Sequence, residues 1–182
     1  DMNNVLPDHM DYVYWSSPVT GQRIHDGTNS IFSPGTPKNR NYQYHEPTDY
    51  FVPTLDQTFT PGKGYAIRAE ISPEFPAQNL GDLGYDKTYT FTGIANNGLV
   101  SIPIQKSPDN PEGVEHGYNL VGNPYPSNID ADVLFDLNKT QIEPVIYLWT
   151  NNITQPYQPG SSYTGESYAT YNRVGGVSAG EN

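Results

Sequence analysis

The chain contains no cysteine, which excludes disulfides, thiol nucleophiles and cysteine-based zinc clusters at once. Basic residues are also scarce: 9 Lys plus Arg stand against 20 Asp plus Glu, for a formal charge of −11. Sequence-independent binding to nucleic acid depends on cations that neutralise phosphates, and a polybasic membrane anchor depends on the same residues. Neither is expected. No apolar run approaches the ~18 residues of a membrane-spanning helix, and no basic-then-apolar start marks a signal peptide. Nucleic acid partners and membrane insertion are therefore set aside. Charged residues make up only 16% of the 182, so Asn, Thr, Ser and Tyr must solvate much of the surface. An acidic globular domain remains.

What the sequence holds in excess is Gly, Pro and aromatic residues. Gly and Pro number 17 each, about 19% of the chain against an ordinary ~12%, which leaves few places for long helices. The 15 Tyr, 6 Phe and 2 Trp reach 13%, and rings of this kind suit a pleated, half-buried surface. Their density argues against a disordered chain. Six segments read as strands: 12–16, 42–45, 64–69, 88–92, 99–105 and 145–150. A seventh, 118–122, runs into Asn123-Pro124-Tyr125-Pro126, where two prolines stop sheet pairing. Asn97-Gly98 between the fourth and fifth strands predicts a tight hairpin turn.

One short helix is expected, capped by Ser127 with Asp130 in the capping-box position and ending near Asn138. Its apolar face would carry Val133, Leu134 and Leu137, with Phe135 near the edge. Segments 20–40, 70–84 and 106–117 read as turn-rich connections, and 151–182 as loop. None is a clean linker. The expected architecture is all-β, an antiparallel β-sandwich of jelly-roll or Ig-like type with long loops and one short helix, formed as a single module over 1–182.

Tyr12-Val-Tyr-Trp-Ser-Ser-Pro18 and Tyr118-Asn-Leu-Val-Gly-Asn-Pro124 share a pattern of aromatic, strand, small polar residues and proline, at an offset of 106. Tyr42 and Tyr44 match Tyr147 and Trp149 at an offset of 105. The two copies should occupy related places, with Tyr14 and Leu120 both facing the core. The turn Thr60-Pro-Gly-Lys-Gly-Tyr65 has no counterpart near residues 168–171, so the second half reads as unfinished and the chain as a fragment truncated on its C-terminal side.

No catalytic motif emerges. The H-E-x-x-H, P-loop and G-x-G-x-x-G patterns are absent, and no G-x-S-x-G elbow is present. Gly62-Lys63-Gly64 is too short to cradle phosphate and reads as a turn opening a strand. His9, His25, His45 and His116 read as solvated loop or strand-end histidines. Glu46, Asp49 and Glu70 lie near strand ends, where a glycosidase pair could be proposed, but nothing singles them out. Asn128, Asp130 and Asp132 place oxygen atoms at alternate positions, as Ca2+ requires. Helix capping is favoured over calcium for Asp130. Trp15, Trp149 and Tyr147 are candidate ligand-binding rings for a sugar-stacking platform, with core packing the favoured role for at least one Trp.

Several stretches read together carry a resemblance. WSSP at 15–18, FSPGT at 32–36, PGKGY at 61–65, NNG at 96–98, GYNLVGNPYPS at 117–127 and IYLW at 146–149 resemble, in this order, a module of large secreted proteins of Bacteroidetes, flavobacteria especially. That module stands just upstream of the C-terminal sorting domain used by the type IX secretion system. The resemblance implies export across the outer membrane, display at the cell surface or release from it, and contact with other domains of the same large chain and with the type IX machinery. It carries no catalytic residues. A Gln-Gly-Phe-like strand that follows the second half in relatives is missing here.

The leading expectation is a non-catalytic extracellular module serving adhesion, gliding or surface organisation. A carbohydrate-binding module of a polysaccharide-degrading enzyme, meeting surface glycans, is the alternative. An independent hydrolase comes third.

Overall fold

Alternation along Tyr12, Val13, Tyr14 and Trp15 sets the architecture, because successive strand residues point to opposite sides of a sheet. A computed structural model of the chain describes residues 5–6, 12–25, 30–32, 36, 38–68, 85–86, 88–108, 117–149 and 168–178. In chain order the strands are β1 (Val5–Leu6), β2 (Tyr12–Trp15), β3 (Val19–Thr20), β4 (Asn41–His45), β5 (Tyr50–Pro53), β6 (Tyr65–Arg68), β7 (Tyr85–Asp86), β8 (Ile94–Ala95), β9 (Val145–Trp149), β10 (Tyr168–Asn172) and β11 (Gly175–Val177). Among the described residues one α-helix, α1, spans Ala131–Asn138, and 3-10 turns occupy Lys38–Arg40 and Glu46–Thr48. Among the described residues the expected β-rich fold with one short helix is observed.

The strands form a four-stranded sheet in the order β2-β6-β4-β5, a three-stranded sheet β11-β10-β9, and the pairs β1-β7 and β3-β8. Every ladder between these strands is antiparallel. β6 is central, and all four of its residues are buried. The register sets Val13 against Ile67 and Trp15 against Tyr65, so these four share one face. That face, with Ile24, Phe32 and Phe59 from the loops, makes the main core, and Tyr89 and Phe91 pack against it. Burying one side chain of this size is worth about 1.5–3 kcal/mol. Tyr12, Tyr14, Ala66, Tyr42, Tyr44 and Phe51 occupy the opposite face by the same register.

The loops beside the core are joined by backbone hydrogen bonds. Ile24 N–H donates to the Gln57 carbonyl at 2.8 Å, Phe59 N–H to the Gln22 carbonyl at 3.0 Å and Phe32 N–H to the Ile24 carbonyl at 3.2 Å. His25, read from sequence as solvated, is only 5% exposed, with its ring 5.9 Å from Phe32. His45 is exposed as expected, and its Nδ1 lies 2.8 Å from Thr48 Oγ1. His9 and His116 lie outside the described residues.

Three expected strands are not strands. Residues 88–92 carry two core rings, but Thr92 N–H donates to the Gln22 side-chain oxygen at 2.9 Å instead of to a neighbouring strand. Segments 99–105 and 118–122 meet at Gln105 and Asn119, where a side chain makes the pairing: Asn119 accepts from Gln105 N–H at 2.9 Å and donates to the Gln105 carbonyl at 3.1 Å. A side chain that supplies both bonds stands in for a ladder partner. Gly98 does turn, with φ +78°, but no hairpin forms around it, since Ile94–Ala95 pairs with Val19–Thr20. Conversely, the stretch read as loop from 151 onward contains the β10-β11 hairpin.

The internal repeat holds in one part and fails in another. Tyr42 faces Ala66 and Tyr147 faces Thr170. The 105-residue step from 42 to 147 thus meets a step of 104 from 66 to 170, and β9-β10 repeats the pairing of β4-β6. The copy of Tyr12–Pro18 does not follow. Residues 118–124 contain no strand; Val121 forms an isolated bridge with Lys63, and β11 takes the place beside β10 that β2 takes beside β6. Tyr14 does not face the main core either, because it sits on the tyrosine face of its sheet, opposite Ala66.

Candidate binding surface

The tyrosine face of the four-stranded sheet meets the three-stranded sheet through aromatic contacts. Tyr14 stacks on Trp149 at 5.7 Å, and its hydroxyl lies 2.8 Å from that of Tyr168. Trp149 Nε1 donates to the Tyr12 carbonyl at 3.0 Å and its ring meets Tyr168 edge-on at 5.1 Å. Tyr12 meets Tyr42 edge-on at 5.6 Å and Tyr44 meets Phe51 at 5.1 Å. Tyr44 OH donates to Asp49 Oδ1 at 2.5 Å. Burial, reinforced by this hydrogen bond and the Asp49 charge, pushes the Tyr44 hydroxyl far above the usual tyrosine range. Asp49 itself sits at φ 54°, a left-handed conformation that Asp tolerates better than most residues. Its carboxylate is thus an acceptor within the tyrosine layer, and Glu46 starts the preceding 3-10 turn. Glu70 lies outside the described residues.

The three predicted ligand rings separate. Trp15 is 7% exposed, wedged edge-on against Phe32 and Tyr89, so neither face of its ring is open to a sugar. Trp149 is half-buried between Tyr14 and Tyr168. Tyr147 is 44% exposed and meets Tyr118, itself 39% exposed, at 5.5 Å and 82°. These two perpendicular rings form an accessible aromatic corner. Sequence reading missed Tyr118 because it took residues 118–122 for a core strand.

The helix start behaves as a cap. Asp130, not Ser127, is the N-cap: its Oδ1 accepts from the N–H groups of Asp132 and Val133 at 2.9 and 3.1 Å. Asp132 Oδ1 instead lies 3.4 Å from the Tyr171 hydroxyl, and Asn128 is exposed. Among the described residues no group of three or more His, Asp or Glu gathers to hold a metal ion. Phe135, 1% exposed, is the buried residue of α1 and stacks on Tyr171 at 6.4 Å. The expected face is displaced: Val133 and Leu137 are 52% and 78% exposed. A helix this short has room to bury one large side chain, and a ring buries more surface than Val or Leu.

The side chains of the PGKGY turn are held by Gln43 and Asp56. Lys63 Nζ donates to Gln43 Oε1 and, at 3.1 Å, to Asp56 Oδ2, which also accepts from Tyr65 OH at 2.9 Å. Burial pushes the Asp56 carboxyl up, but the hydrogen bonds from Tyr65 and Lys63 and the Lys63 charge outweigh it and hold the group below its usual range.

Four of the six motifs that carry the resemblance converge at one junction. Gly64 N–H donates to the Leu120 carbonyl at 3.0 Å and Gly122 N–H to the Gly62 carbonyl at 2.9 Å. A Cβ on Gly122 would lie 2.2 Å from Ser16 Cβ, so WSSP, PGKGY and GYNLVGNPYPS touch there. Asn96 of the NNG segment completes the joint. Its Nδ2 donates to the carbonyls of Ser17 and Pro124 at 3.2 and 2.9 Å, and its Oδ1 accepts from Thr20 Oγ1 at 2.6 Å.

The described residues thus define a protein of antiparallel sheets with one short helix, in which WSSP, PGKGY, NNG and GYNLVGNPYPS meet in a shared joint. The chain belongs to the family described as Domain of unknown function (DUF8693), whose model matches residues 3–182. No curated protein and no solved structure matches it.

Proposed function

We propose that this chain is a non-catalytic β-sandwich module of a large exported protein, carried out of the cell by a type IX system and serving adhesion, gliding or surface organisation. One observation supports this reading above the rest: WSSP, PGKGY, NNG and GYNLVGNPYPS are spent on a backbone junction. Motifs used in this way encode architecture, and they are four of the six on which the resemblance to a module of exported proteins rests. The sandwich is argued from Tyr14 and Trp149, which bring the four-stranded and three-stranded sheets into contact through their side chains. The test joins an activity screen of the purified chain against polysaccharides and peptides to attachment assays on cells displaying the parent protein with and without this module. Loss of attachment without the module supports the reading. Turnover that vanishes when one carboxylate is replaced overturns it.

A second reading, a carbohydrate-binding module, is favoured by the Tyr118 and Tyr147 corner, since a sugar can stack on one ring while the other closes its edge. The net charge of −11 would favour neutral over anionic glycans. Glycan-array binding that is lost in both Tyr118→Ala and Tyr147→Ala would establish it. Binding unchanged by both would remove the corner from consideration.

A further inference from the structure

We propose that Asn97 is a site of spontaneous covalent modification, in which the folded turn presents its side-chain amide to the Gly98 nitrogen for cyclisation and deamidation. Asn97-Gly98 is the only Asn-Gly pair in the sequence. Asn is among the thermolabile residues, and a following glycine removes the Cβ that would hinder approach of the next backbone nitrogen.

The geometry supplies what the dipeptide alone does not. The Asn97 side chain folds back on its own backbone, and Gly98 N–H donates to Asn97 Oδ1 at 2.6 Å. The attacking nitrogen is therefore held beside the carbonyl group whose carbon it must reach. Asn97 and Gly98 are both exposed, so water and base have access. Beyond Gly98 and its two chain neighbours, no heavy atom lies within 4 Å of the position a Gly98 Cβ would occupy, so no other part of the fold crowds the turn on that side.

Asn96, one residue earlier, is an internal contrast. It is 9% exposed, and its amide is tied to Ser17, Pro124 and Thr20. Reaction there would require breaking all three bonds. The neighbouring amides thus have opposite fates: Asn96 is locked and Asn97 is poised.

In the reaction the Gly98 nitrogen loses its proton to base and attacks Asn97 Cγ. The bond from Cγ to the side-chain nitrogen breaks, and that nitrogen leaves as ammonia after taking up a proton. A cyclic imide results. Water then adds to one of its two carbonyls, and the ring opens to aspartate or to isoaspartate. Either product adds a negative charge in the exposed turn. Isoaspartate also lengthens the backbone by one methylene, which displaces the Gly98 carbonyl that accepts from Tyr125 OH at 2.6 Å. Tyr125 lies in the turn that enters the motif junction, where its N–H donates to Asn123 Oδ1 at 2.9 Å.

The test is peptide mapping by mass spectrometry after incubating the intact chain at neutral and mildly alkaline pH, beside the same chain in denaturant. Circular dichroism verifies that the first sample stays folded. Conversion at Asn97 in the folded chain, at least as fast as in denaturant, faster at the higher pH and absent at Asn96, is the expected result. An Asn97→Ser chain should show no modification in that peptide. Retention of Asn97 in the folded chain while the denatured chain converts would overturn the proposal, because the fold would then be protective. Equal conversion at Asn96, or a rate indifferent to pH, would overturn it as well.

Discussion

Tyr14 of β2 lies against Trp149 of β9 with ring centroids 5.7 Å apart and planes inclined by 24°. This pair joins two sheets whose strands are 135 residues apart in sequence at that point (149 less 14). Offset stacking of aromatic rings adds ~0.5–1.5 kcal/mol to the burial of the rings themselves. Trp149→Ala is expected to cost about 2–3 kcal/mol, below the 3–5 kcal/mol of a fully buried Trp because the ring is only half-buried. Tyr14→Phe keeps the stack and loses the hydroxyl contact with Tyr168, for about 1 kcal/mol. Urea unfolding of the two variants checks the order. A Tyr14→Phe loss as large as that of Trp149→Ala would show that the hydroxyl pair, not the stack, holds the sheets together.

Much of this was legible in the residues, and the exceptions share a cause. β2, β4, β6 and β9 follow from alternating aromatic and aliphatic residues, and each is present within a residue of its expected limits. Alternation reports which side chains are buried, however, and not what the backbone pairs with. Tyr89 and Phe91 pack against the core as a strand would, while Thr92 N–H is satisfied by Gln22. Nothing local in residues 88–92 announces a glutamine 70 positions earlier. β10 was hidden for the opposite reason: Tyr168-Ala-Thr-Tyr-Asn172 sits in Gly-, Ser- and Asn-rich surroundings, and only its register with β9 makes it a strand. At the site, Tyr147 was legible as an aromatic in a strand, but its partner Tyr118 depends on a tertiary approach.

The helix gives a contrast that a pair of substitutions can read. Phe135 is 1% exposed and packed on Tyr171, whereas Leu137 is 78% exposed. Phe135→Ala should cost about 3 kcal/mol or more. Leu137→Ala should stay within ~0.5 kcal/mol of the parent. Thermal melts suffice, and a larger loss at Leu137 would show that the apolar face read from sequence was the buried one after all.

Gly122 tests the junction without removing any hydrogen bond. A methyl group there meets Ser16 Cβ at 2.2 Å, far inside contact distance, so strand β2 and the segment holding Leu120 must separate. Gly122→Ala should lower stability by about 1–3 kcal/mol, the usual cost of overpacking. Pairing it with Ser16→Gly, which removes the Ser16 side chain, should recover part of that loss. Failure of the double variant to recover any stability would mean that the close approach is not what the glycine provides.

Asp130 distinguishes a helix cap from a cation ligand. Its Oδ1 accepts two backbone N–H groups, and Asn caps helices about as well as Asp. Asp130→Asn should leave the melting temperature near that of the parent, and Asp130→Ala should cost about 1 kcal/mol. Neither result should depend on added Ca2+. A calcium-dependent rise in melting temperature that Asp130→Asn abolishes would instead make Asn128, Asp130 and Asp132 a metal site.

The Lys63, Asp56 and Tyr65 lock sets a pH dependence whose sign follows from the two shifted groups. Asp56 is held below its usual range, so its carboxylate form is favoured by folding. Its contribution is present above about pH 4, where the unfolded carboxyl is ionised, and is lost as pH falls through the lower folded value. Tyr65 is raised, chiefly by burial, with the hydrogen bond to Asp56 adding to it against the opposing bond from Thr60. Its neutral form is favoured by folding, so that contribution is present below about pH 10 and is lost as pH rises through the folded value. Asp56→Asn removes the carboxylate from the lock. Relative to this variant, the parent should be more stable at neutral pH and should lose that advantage in acid, as measured by urea midpoints across the range. Tyr65→Phe should flatten the alkaline limb and also weaken the acid limb, because it removes one of the hydrogen bonds that hold the Asp56 carboxyl low. A parent advantage over Asp56→Asn that persists unchanged from neutral pH to well below pH 4 would show that the carboxylate is not what Lys63 and Tyr65 hold.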